Sequence, residues 1–421
     1  MRKVFAIALV LGLLAAGGGA AHASVRADDG AVTKDQIKIG ITYVDVASLK
    51  ARGINLDHGD YEKSYMAVIN DLNAKGGING RKIVPVFAPV NPVGTDPAQA
   101  ACVKLTEDEK VFAAVGFFLN DSPLCYLEQH DTPVVGGTIT SEYLARAKAP
   151  WYTLEAGDTA SAQVVDALVK EGVFKKGKVG VISHSQEQPL LDNVVLPALK
   201  RNNVKVTSAI IDAPASDTVA AQAQADTIIQ RFKSDGIKTI LAAGNAIVAA
   251  GRGVAKTPDY RPRMVSTLQN TMAAYVNDKS NDLSIMENAI TGNVAEDFNN
   301  PELQKCYDLV EKATGATIIE TPPPGTTSHV TSASSACRYV NLFKALAEAS
   351  GKNLTTASFG KAAQKAGSIN VPGYGPMTYD AKTHTFAEPV FLYRFDPTTK
   401  TLVKDPEPVS TSGQGNGTKS N

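Results

Sequence analysis

Six short segments of this sequence carry side chains that could hydrogen-bond a small molecule, and each follows a stretch patterned as a buried β-strand. Where parallel strands end, loop side chains and the N–H groups of the next helix converge at one edge of the sheet, where α/β folds bind ligands. Hydroxyl, amide and carboxylate groups at such an edge suit the reversible binding of a small polar molecule. The candidate residues are Tyr43, Asp45, Asn120, Asp121, Ser122, Gly137, Thr138, Thr140, Gln186, Asn245 and Gln269.

Motifs that support catalysis are missing from the sequence. There is no G-x-S-x-G, no H-E-x-x-H and no phosphate-binding loop. His184 and Ser185 are adjacent at a predicted strand end, so their side chains should point to opposite sides and not act as a pair. The cysteines have neither C-x-x-C nor Cys/His metal spacing. The sequence therefore predicts a protein that is not an enzyme and has no cofactor and no metal.

The elements that position the candidate segments alternate between strand and helix. Residues 36–43 alternate and then become apolar, residues 60–74 place apolar side chains at helical spacing, and residues 81–87 resume a strand pattern. In the intervening NAKGGINGRKI, Gly76 or Gly77 can adopt the left-handed conformation that ends a helix. Further strands are predicted at 111–116, 132–136, 178–183, 204–211, 239–243 and 263–266. The alternation predicts parallel sheets covered by helices on both faces.

Length and charge limit the remaining possibilities. A chain of 421 residues exceeds what one hydrophobic core usually supports, and two successive strand–helix series predict two similar lobes. The 42 basic and 42 acidic residues cancel, so nothing draws the protein to nucleic acid or anionic lipid. The expected partner is a small-molecule ligand.

The N-terminus has the pattern of a secretory signal peptide. Met1-Arg2-Lys3 is basic, residues 4–16 are almost uninterrupted apolar, and Ala21-His22-Ala23 offers small residues before a cut. We expect cleavage after Ala23, which removes residues 1–23, and no lipid anchor, because no cysteine lies near the cut. The mature protein should be periplasmic or secreted. The polar, glycine-rich tail, residues 406–421, is expected to be disordered.

Four cysteines, Cys102, Cys125, Cys306 and Cys337, belong to the exported part. An even number in an oxidising compartment indicates two disulfides. The pairs Cys102–Cys125 and Cys306–Cys337 are favoured because each is close in sequence and lies on adjacent predicted helices. The other two pairings and buried free thiols remain open.

Four segments, in this order and spacing, resemble solute-binding proteins of the branched-chain amino-acid type, which serve ABC importers. They are AVINDLNAKGGINGRKI, GTDPAQAACVKLTEDEKVFAAVG, PVVGGTITSEYL and GPMTYD, and the likeness covers about residues 36–396. The resemblance implies an α/β fold of the type I periplasmic-binding-protein kind, with two Rossmann-like lobes of parallel sheet joined by a three-segment hinge. It also implies a membrane-bound ABC permease as partner and a monomeric protein.

The resemblance further implies how the chain divides. Lobe one is expected to contain residues 31–155 and 290–352, and lobe two residues 156–289 and 353–405. A Cys102–Cys125 bridge is similar to one in the first lobe of the family.

Individual loop residues acquire expected roles from the same resemblance. In the family's amino-acid binders a Ser and a Thr hold the ligand carboxylate, which points to Ser122 and to Thr138, with Thr140 as the alternative. Ser122 could equally cap a helix beginning at Pro123. The acid that holds the ligand ammonium is replaced here by Gln269 or Asn270, since the loop reads STLQN. A neutral amide cannot neutralise an ammonium, so we expect a small polar ligand other than an ordinary α-amino acid.

Two alternatives stay open at this point. Asp45, Asp121 or Glu187 could supply the missing acid, which would give an amino-acid binder of a different design. A binding protein that reports its ligand to a membrane receptor would have the same fold and the same kind of site. In either case we expect the two lobes to close on the ligand.

Overall fold

A computed structural model of the chain describes residues 30–51, 58–92, 96–154, 159–213, 217–320, 329–381, 384–386 and 389–409. The predicted signal peptide lies outside the described residues, as do residues 410–421 of the predicted tail. The strands, in chain order, are β1 (Gln36–Val44), β2 (Lys82–Val90), β3 (Ala113–Gly116), β4 (Val134–Gly136), β5 (Trp151–Tyr152), β6 (Lys178–His184), β7 (Val206–Ile211), β8 (Ile237–Ala242), β9 (Arg263–Ser266), β10 (Ile290–Val294), β11 (Ser368–Val371), β12 (Gly375–Asp380), β13 (Thr385–Phe386), β14 (Val390–Asp396) and β15 (Thr401–Lys404).

Helices connect most of these strands. They are α1 (Val46–Ala51), α2 (Tyr61–Ala74), α3 (Asp96–Val103), α4 (Ser141–Arg146), α5 (Ala160–Lys170), α6 (Gln188–Leu190), α7 (Leu196–Arg201), α8 (Thr218–Ser234), α9 (Ile247–Ala255), α10 (Gln269–Asn277), α11 (Pro301–Thr314), α12 (Val330–Ser350), α13 (Thr356–Phe359) and α14 (Ala362–Ala366). Short π-helical turns cover Lys104–Asp108, Cys125–Gln129 and Leu191–Val195, and 3₁₀ turns cover Ser185–Glu187 and Leu283–Met286. In the described part of the chain, no helix combines the length and apolar character needed to span a bilayer.

Two sheets divide the molecule into lobes, as predicted. The first is parallel throughout, in the order β2-β1-β3-β4-β5, and defines lobe one. The second, which defines lobe two, has the order β15-β14-β10-β9-β8-β6-β7, with β14 and β15 antiparallel at one side. A small antiparallel sheet, β11-β12-β13, accompanies them. This confirms the predicted α/β class with two parallel-sheet lobes.

The first strand–helix–strand unit shows how individual residues determine where a helix begins and where the chain turns back into a strand. The Asp60 side chain caps α2 by accepting the Lys63 N–H at 3.0 Å. Gly77, with φ of +69°, follows the helix, and a Cβ there would lie 2.0 Å from the Arg81 carbonyl oxygen. Asn79 and Gly80 both have positive φ, as the centre of a type I′ turn requires. The three glycines of NAKGGINGRKI are therefore structural, and they place the β2 chain beside β1.

The division of the chain differs from the expected one in two places. Residues 290–294, expected in lobe one, form β10, which pairs with β9 and β14 in the sheet of lobe two. Part of the segment expected in lobe two from residue 353 onward packs on lobe one, because its apolar side chains join the core formed by β1, α2 and α12. These side chains are Leu354, Phe359, Ala362, Ala363, Ile369, Val371, Tyr374, Met377 and Phe386. The chain therefore crosses between lobes after β5, after β10 and after β13.

Both favoured disulfides are present. Cys102 and Cys125 join α3 to a π-helical turn with Cα atoms 6.3 Å apart, and Cys306 and Cys337 join α11 to α12 with Cα atoms 6.0 Å apart. The predicted tail begins later than residue 406, because Val409 still forms a bridge with Val390 and packs on lobe two.

Candidate ligand-binding site

Glycines shape the carboxyl edge of the lobe-one sheet. β1, β3 and β4 are neighbours in register, so Thr42, Gly116 and Gly136 lie side by side. Gly116 and Gly136 have φ of +121° and +131°. A Cβ on Gly116 would lie 2.2 Å from the Thr42 oxygen, and one on Gly136 would lie 2.1 Å from the Gly116 oxygen. Only glycine lets the chain leave the sheet this way, which brings the following loops together at one edge.

Tyr43 and Asp45 follow β1. The half-buried Tyr43 ring stacks on Tyr61 with centroids 5.3 Å apart, and its hydroxyl donates to the Glu62 carboxylate at 2.6 Å. Burial, followed by the carboxylates of Glu62, Asp45 and Asp60, raises the pKa of Tyr43 above its usual range. Asp45 accepts the Ser48 N–H at 3.0 Å and so caps α1. This corner of lobe one combines aromatic rings with carboxylates, of which Asp60 is paired with Lys63 at 3.1 Å, and the positive charge of Arg338 acts on the neighbouring Tyr61.

The loop after β3 contains Asn120, Asp121 and Ser122. Asn120 and Asp121 are exposed, and Asn120 has a φ of +49°. Ser122 does not cap the following helix. Its hydroxyl oxygen accepts the Leu119 N–H at 3.0 Å, three residues back. The hydroxyl hydrogen therefore stays available as a donor.

The loop after β4 packs against the loop after β3. Gly137 is buried with φ of +69°, and a Cβ there would lie 3.1 Å from Pro123 and 3.2 Å from Phe118. Thr140 caps α4, because its side chain accepts the Tyr143 N–H at 3.2 Å. Thr138 is exposed. Of the two threonines, Thr138 is thus the more exposed.

In lobe two, the loops after the neighbouring strands β6 and β8 are joined by Glu187. Its carboxylate accepts the Asn245 backbone N–H at 3.0 and 2.9 Å, and the Asn245 side-chain N–H at 2.6 Å. Gly244 has φ of +64°, and a Cβ there would lie 2.3 Å from Glu187 Cδ. The carboxylate therefore rests directly on the Gly244 backbone, just before α9.

The two other lobe-two candidates carry amides. Gln186 is exposed, and its side chain donates to the Ser185 hydroxyl at 3.1 Å. Gln269 is half-buried and is the first residue of α10, after β9. The segment from Thr267 to Asn270 contains no acid.

From the sequence, His184 was a candidate only for catalysis. It ends β6, is 7% exposed, and its Nδ1 has no hydrogen-bond partner among the described residues. Burial lowers the pKa of His184, with Glu187 acting weakly in the opposite direction. The Ser185 hydroxyl donates to the Asp212 carbonyl at 3.2 Å, so the two side chains do not form a dyad.

One trio among the described residues has metal-ligand atoms within 4.8 Å of one another, namely Cys102, Cys125 and His130. Both of its cysteines are in a disulfide, and the His130 ring lies 3.6 Å from Glu107. A disulfide offers no thiolate, so this trio cannot bind a metal as it stands.

The six segments at the strand ends are called the binding loops below. They are residues 43–45, 117–122, 137–140, 184–188, 244–246 and 267–270. The structure brings the first three together at the edge of lobe one and the next two together through Glu187 and Asn245 at the edge of lobe two.

Comparison with known proteins agrees with this architecture. Residues 37–400 match the family model described as periplasmic binding protein. An ABC transporter substrate-binding protein from Desulfitobacterium hafniense in complex with Leu is 14% identical, with a TM-score of 0.54 over 88% of this chain and 100% of that chain. An ABC-type branched-chain amino acid transporter from Rhodopseudomonas palustris is also 14% identical, with a TM-score of 0.58 over 89% and 96%.

A third solved structure is a solute-binding protein from R. palustris in complex with 4-hydroxybenzoate. It is 16% identical, with a TM-score of 0.51 over 89% of this chain and 97% of that chain. A search of curated proteins found no match. These identities establish a shared fold, and the family match spans most of the chain. The chain belongs to the periplasmic binding protein family, as the resemblance at the sequence level indicated.

Proposed function

We propose that this chain is an extracytoplasmic solute-binding protein that captures a small polar molecule between its lobes and delivers it to an ABC importer. We further propose that the ligand is not an ordinary α-amino acid. The observation that carries this second statement is the loop after β9, where Gln269 opens α10 and no residue from 267 to 270 is acidic. An ammonium placed against this loop would gain no counter-charge from it, unlike one placed against an acidic loop.

The mechanism follows from the two sets of binding loops. In lobe one, Ser122 and Thr138 offer hydroxyl groups, and Tyr43 offers an aromatic face. In lobe two, the amides of Asn245 and Gln269 lie at the ends of neighbouring strands. Ligand bound to one lobe gains contacts when the other closes on it, so the closed state is stabilised by the ligand. The closed form is the one that a permease would recognise. This role requires binding and no catalysis.

Solved relatives support a ligand outside the amino acids. The D. hafniense protein is a complex with Leu, whereas one R. palustris protein is a complex with 4-hydroxybenzoate. The same architecture therefore accepts ligands with and without an ammonium group. Specificity in such a fold must reside in the loop residues and not in the framework.

The cellular setting completes the proposal. The family implies an extracytoplasmic location, and the N-terminal pattern supports export with cleavage after Ala23. We propose that the mature protein acts as a monomer and that its partner is an ABC permease.

A thermal-shift screen of the mature protein tests the proposal. The panel contains amino acids, their carboxylate-only analogues, amides, polyols and aromatic acids. At a hundredfold excess over Kd, a true ligand adds about 2.7 kcal/mol of stability, which raises the melting temperature by several degrees. A shift with branched-chain amino acids would contradict the argument from Gln269. Absence of a shift with every class of compound would count against the binding function itself.

A further inference from the structure

Two π-helical turns of lobe one lie beside the Cys102–Cys125 disulfide. Cys102 is on α3, just before the turn at Lys104–Asp108, and Cys125 is the first residue of the other turn. Such turns are rare and recur at functional sites. Their hydrogen bonds join residue i to residue i+5, as the Glu109 N–H does with the Lys104 carbonyl at 2.9 Å. A π-helical turn therefore brings side chains five residues apart closer to one face than an α-helix would.

Each turn carries a second metal-binding side chain five residues after its cysteine. The segments read CVKLTE, from Cys102 to Glu107, and CYLEQH, from Cys125 to His130. The two sulfurs and a ring nitrogen of His130 all lie within 4.8 Å of one another. His130 Nε2 lies 3.6 Å from a Glu107 carboxylate oxygen. Two short segments thus gather two sulfurs, one imidazole and one carboxylate in one place.

These distances suit a tetrahedral ion once the two sulfurs are no longer bonded to each other. Zinc binds sulfur at about 2.3 Å and nitrogen or oxygen at about 2.0–2.2 Å, so its ligand atoms lie about 3.3–3.8 Å apart. The distance between His130 and Glu107 already falls in this range. The Cα atoms of Cys102 and Cys125, 6.3 Å apart, leave room for sulfurs separated by about 3.8 Å. The Glu107 side chain is 56% exposed, so its carboxylate can turn toward the sulfurs.

A hydrogen bond to one sulfur points the same way. The Gln99 side-chain amide donates to Cys125 Sγ at 3.4 Å. A thiolate accepts such a bond more strongly than a disulfide sulfur does, and hydrogen bonds of this kind orient metal ligands. Both cysteines are buried, whereas the side chains of His130 and Glu107 are partly exposed, so an ion has an entry path on their side.

We propose that reduction of the Cys102–Cys125 disulfide creates a Zn²⁺ site formed by Cys102, Cys125, His130 and Glu107. A dithiol reductant attacks the disulfide as a thiolate, passes through a mixed disulfide and leaves as its own cyclic disulfide. Two electrons and two protons reach the protein, and both cysteines become thiols. Zn²⁺ then displaces the two thiol protons without changing its oxidation state. The disulfide and the metal site exclude each other, and neither depends on the ligand of the proposed transport function.

Titration of the reduced mature protein with Co²⁺, followed by Zn²⁺, tests the proposal. The protein is reduced with dithiothreitol and freed of the reductant under anaerobic conditions, and its four thiols are counted. Tetrahedral Co²⁺ with thiolate ligands has intense visible absorption and sulfur-to-metal charge-transfer bands, which a site made of oxygen ligands lacks. We expect one Co²⁺ per chain with these bands, displaced by Zn²⁺, and no such bands with the oxidised protein.

Substitutions separate this site from binding by any pair of thiols. His130→Ala should weaken Co²⁺ binding about tenfold or more, because it removes a ligand. The matched control replaces Cys306 and Cys337 by serine, which removes the other disulfide of lobe one and keeps all four proposed ligands. This control should change the affinity less than about twofold.

Far-UV circular dichroism shows whether the reduced chain keeps its fold. If reduction unfolds it, Zn²⁺ should restore the spectrum of the unmodified sequence and not that of His130→Ala, since binding and folding are then coupled. The proposal is overturned if the reduced protein binds no Co²⁺, if His130→Ala binds it equally well, or if Zn²⁺ fails to refold an unfolded reduced chain. Loss of binding in the folded control variant would overturn it as well.

Discussion

Replacing Gly244 with alanine should expel the Glu187 carboxylate from its place on lobe two. The new Cβ would lie 2.3 Å from Glu187 Cδ and 2.4 Å from each carboxylate oxygen, closer than nonbonded atoms approach. The flexible end of Glu187 must then move, because the Gly244 backbone cannot. Asn245 would lose the acceptor of both its backbone and its side-chain N–H.

The magnitude has two parts. Alanine at φ of +64° costs about 1 kcal/mol of folding free energy relative to glycine. Loss of the charge-assisted hydrogen bonds adds about 1–2 kcal/mol, at the low end of the usual range because the site is half-exposed and water replaces them. We therefore expect Gly244→Ala to lower the free energy of unfolding by about 2–3 kcal/mol. In a Glu187→Ala background the same change should cost only about 1 kcal/mol.

Gly236→Ala is the control, because Gly236 has a similar φ of +70° in lobe two and no atom within 4 Å of its Cβ position. It should cost about 1 kcal/mol in either background. Urea unfolding followed by far-UV circular dichroism measures the differences. The single tryptophan, Trp151, is buried in β5, so its fluorescence reports separately on lobe one. If Gly244→Ala and Gly236→Ala lower the free energy of unfolding equally, and if the effect of Gly244→Ala is the same with and without Glu187, the packing of the Glu187 carboxylate on Gly244 would be refuted.

Four further changes test the packing and electrostatics. The buried Tyr65 hydroxyl has no partner among the described residues, so Tyr65→Phe should leave stability unchanged or raise it by up to about 1 kcal/mol in urea unfolding. Tyr152→Phe should instead lower it by about 1–2 kcal/mol, because its hydroxyl donates to the buried Phe359 carbonyl at 2.8 Å. Replacing Cys306 and Cys337 by alanine should cost about 3–4 kcal/mol, from the entropy of the loop that their bond closes, measured the same way. Burial lowers the pKa of His184 from 6.5, so the unfolded state binds its proton first and stability falls as pH drops below about 6.5. A His184→Gln variant should show a shallower fall in melting temperature from about pH 7.5 to 5.

Local sequence signals predicted the elements that local interactions determine. The helix predicted at 60–74 is observed at Tyr61–Ala74, and the strand predicted at 263–266 is observed at Arg263–Ser266. The helical segment between β6 and β7 is interrupted by a π-helical turn at Leu191–Val195. Pro197 follows that turn and has no N–H to continue the ordinary helical ladder, which gives the interruption a physical cause.

Sheet membership was harder to predict, because it depends on contacts distant in sequence. The strand β10 reads ITGNV, and its Gly292 and Asn293 weaken the usual strand signal. Its place in the sheet is fixed by pairing with β9 and with β14, and the β14 residues are about a hundred positions away in sequence. No periodicity within residues 290–294 contains that information, and the expected boundary at residue 290 was therefore wrong.

The candidate site shows the same limit. The sequence predicted that Ser122, Thr138 and Asn245 lie just after strand ends, because a strand followed by glycine or a polar residue is a local pattern. It did not show that Ser122 turns back to Leu119, nor that Glu187 binds Asn245 across 58 residues. Such pairings arise from the order of strands in the sheet, which is a property of the whole fold.

Small-angle X-ray scattering tests the central claim, that the lobes close on a small ligand, most directly. The mature protein would be measured alone and with the compound that raises its melting temperature most. We expect a smaller radius of gyration with the compound, and a smaller or absent change in a variant that does not bind it. Superimposable scattering profiles with and without a saturating ligand would contradict capture by closure.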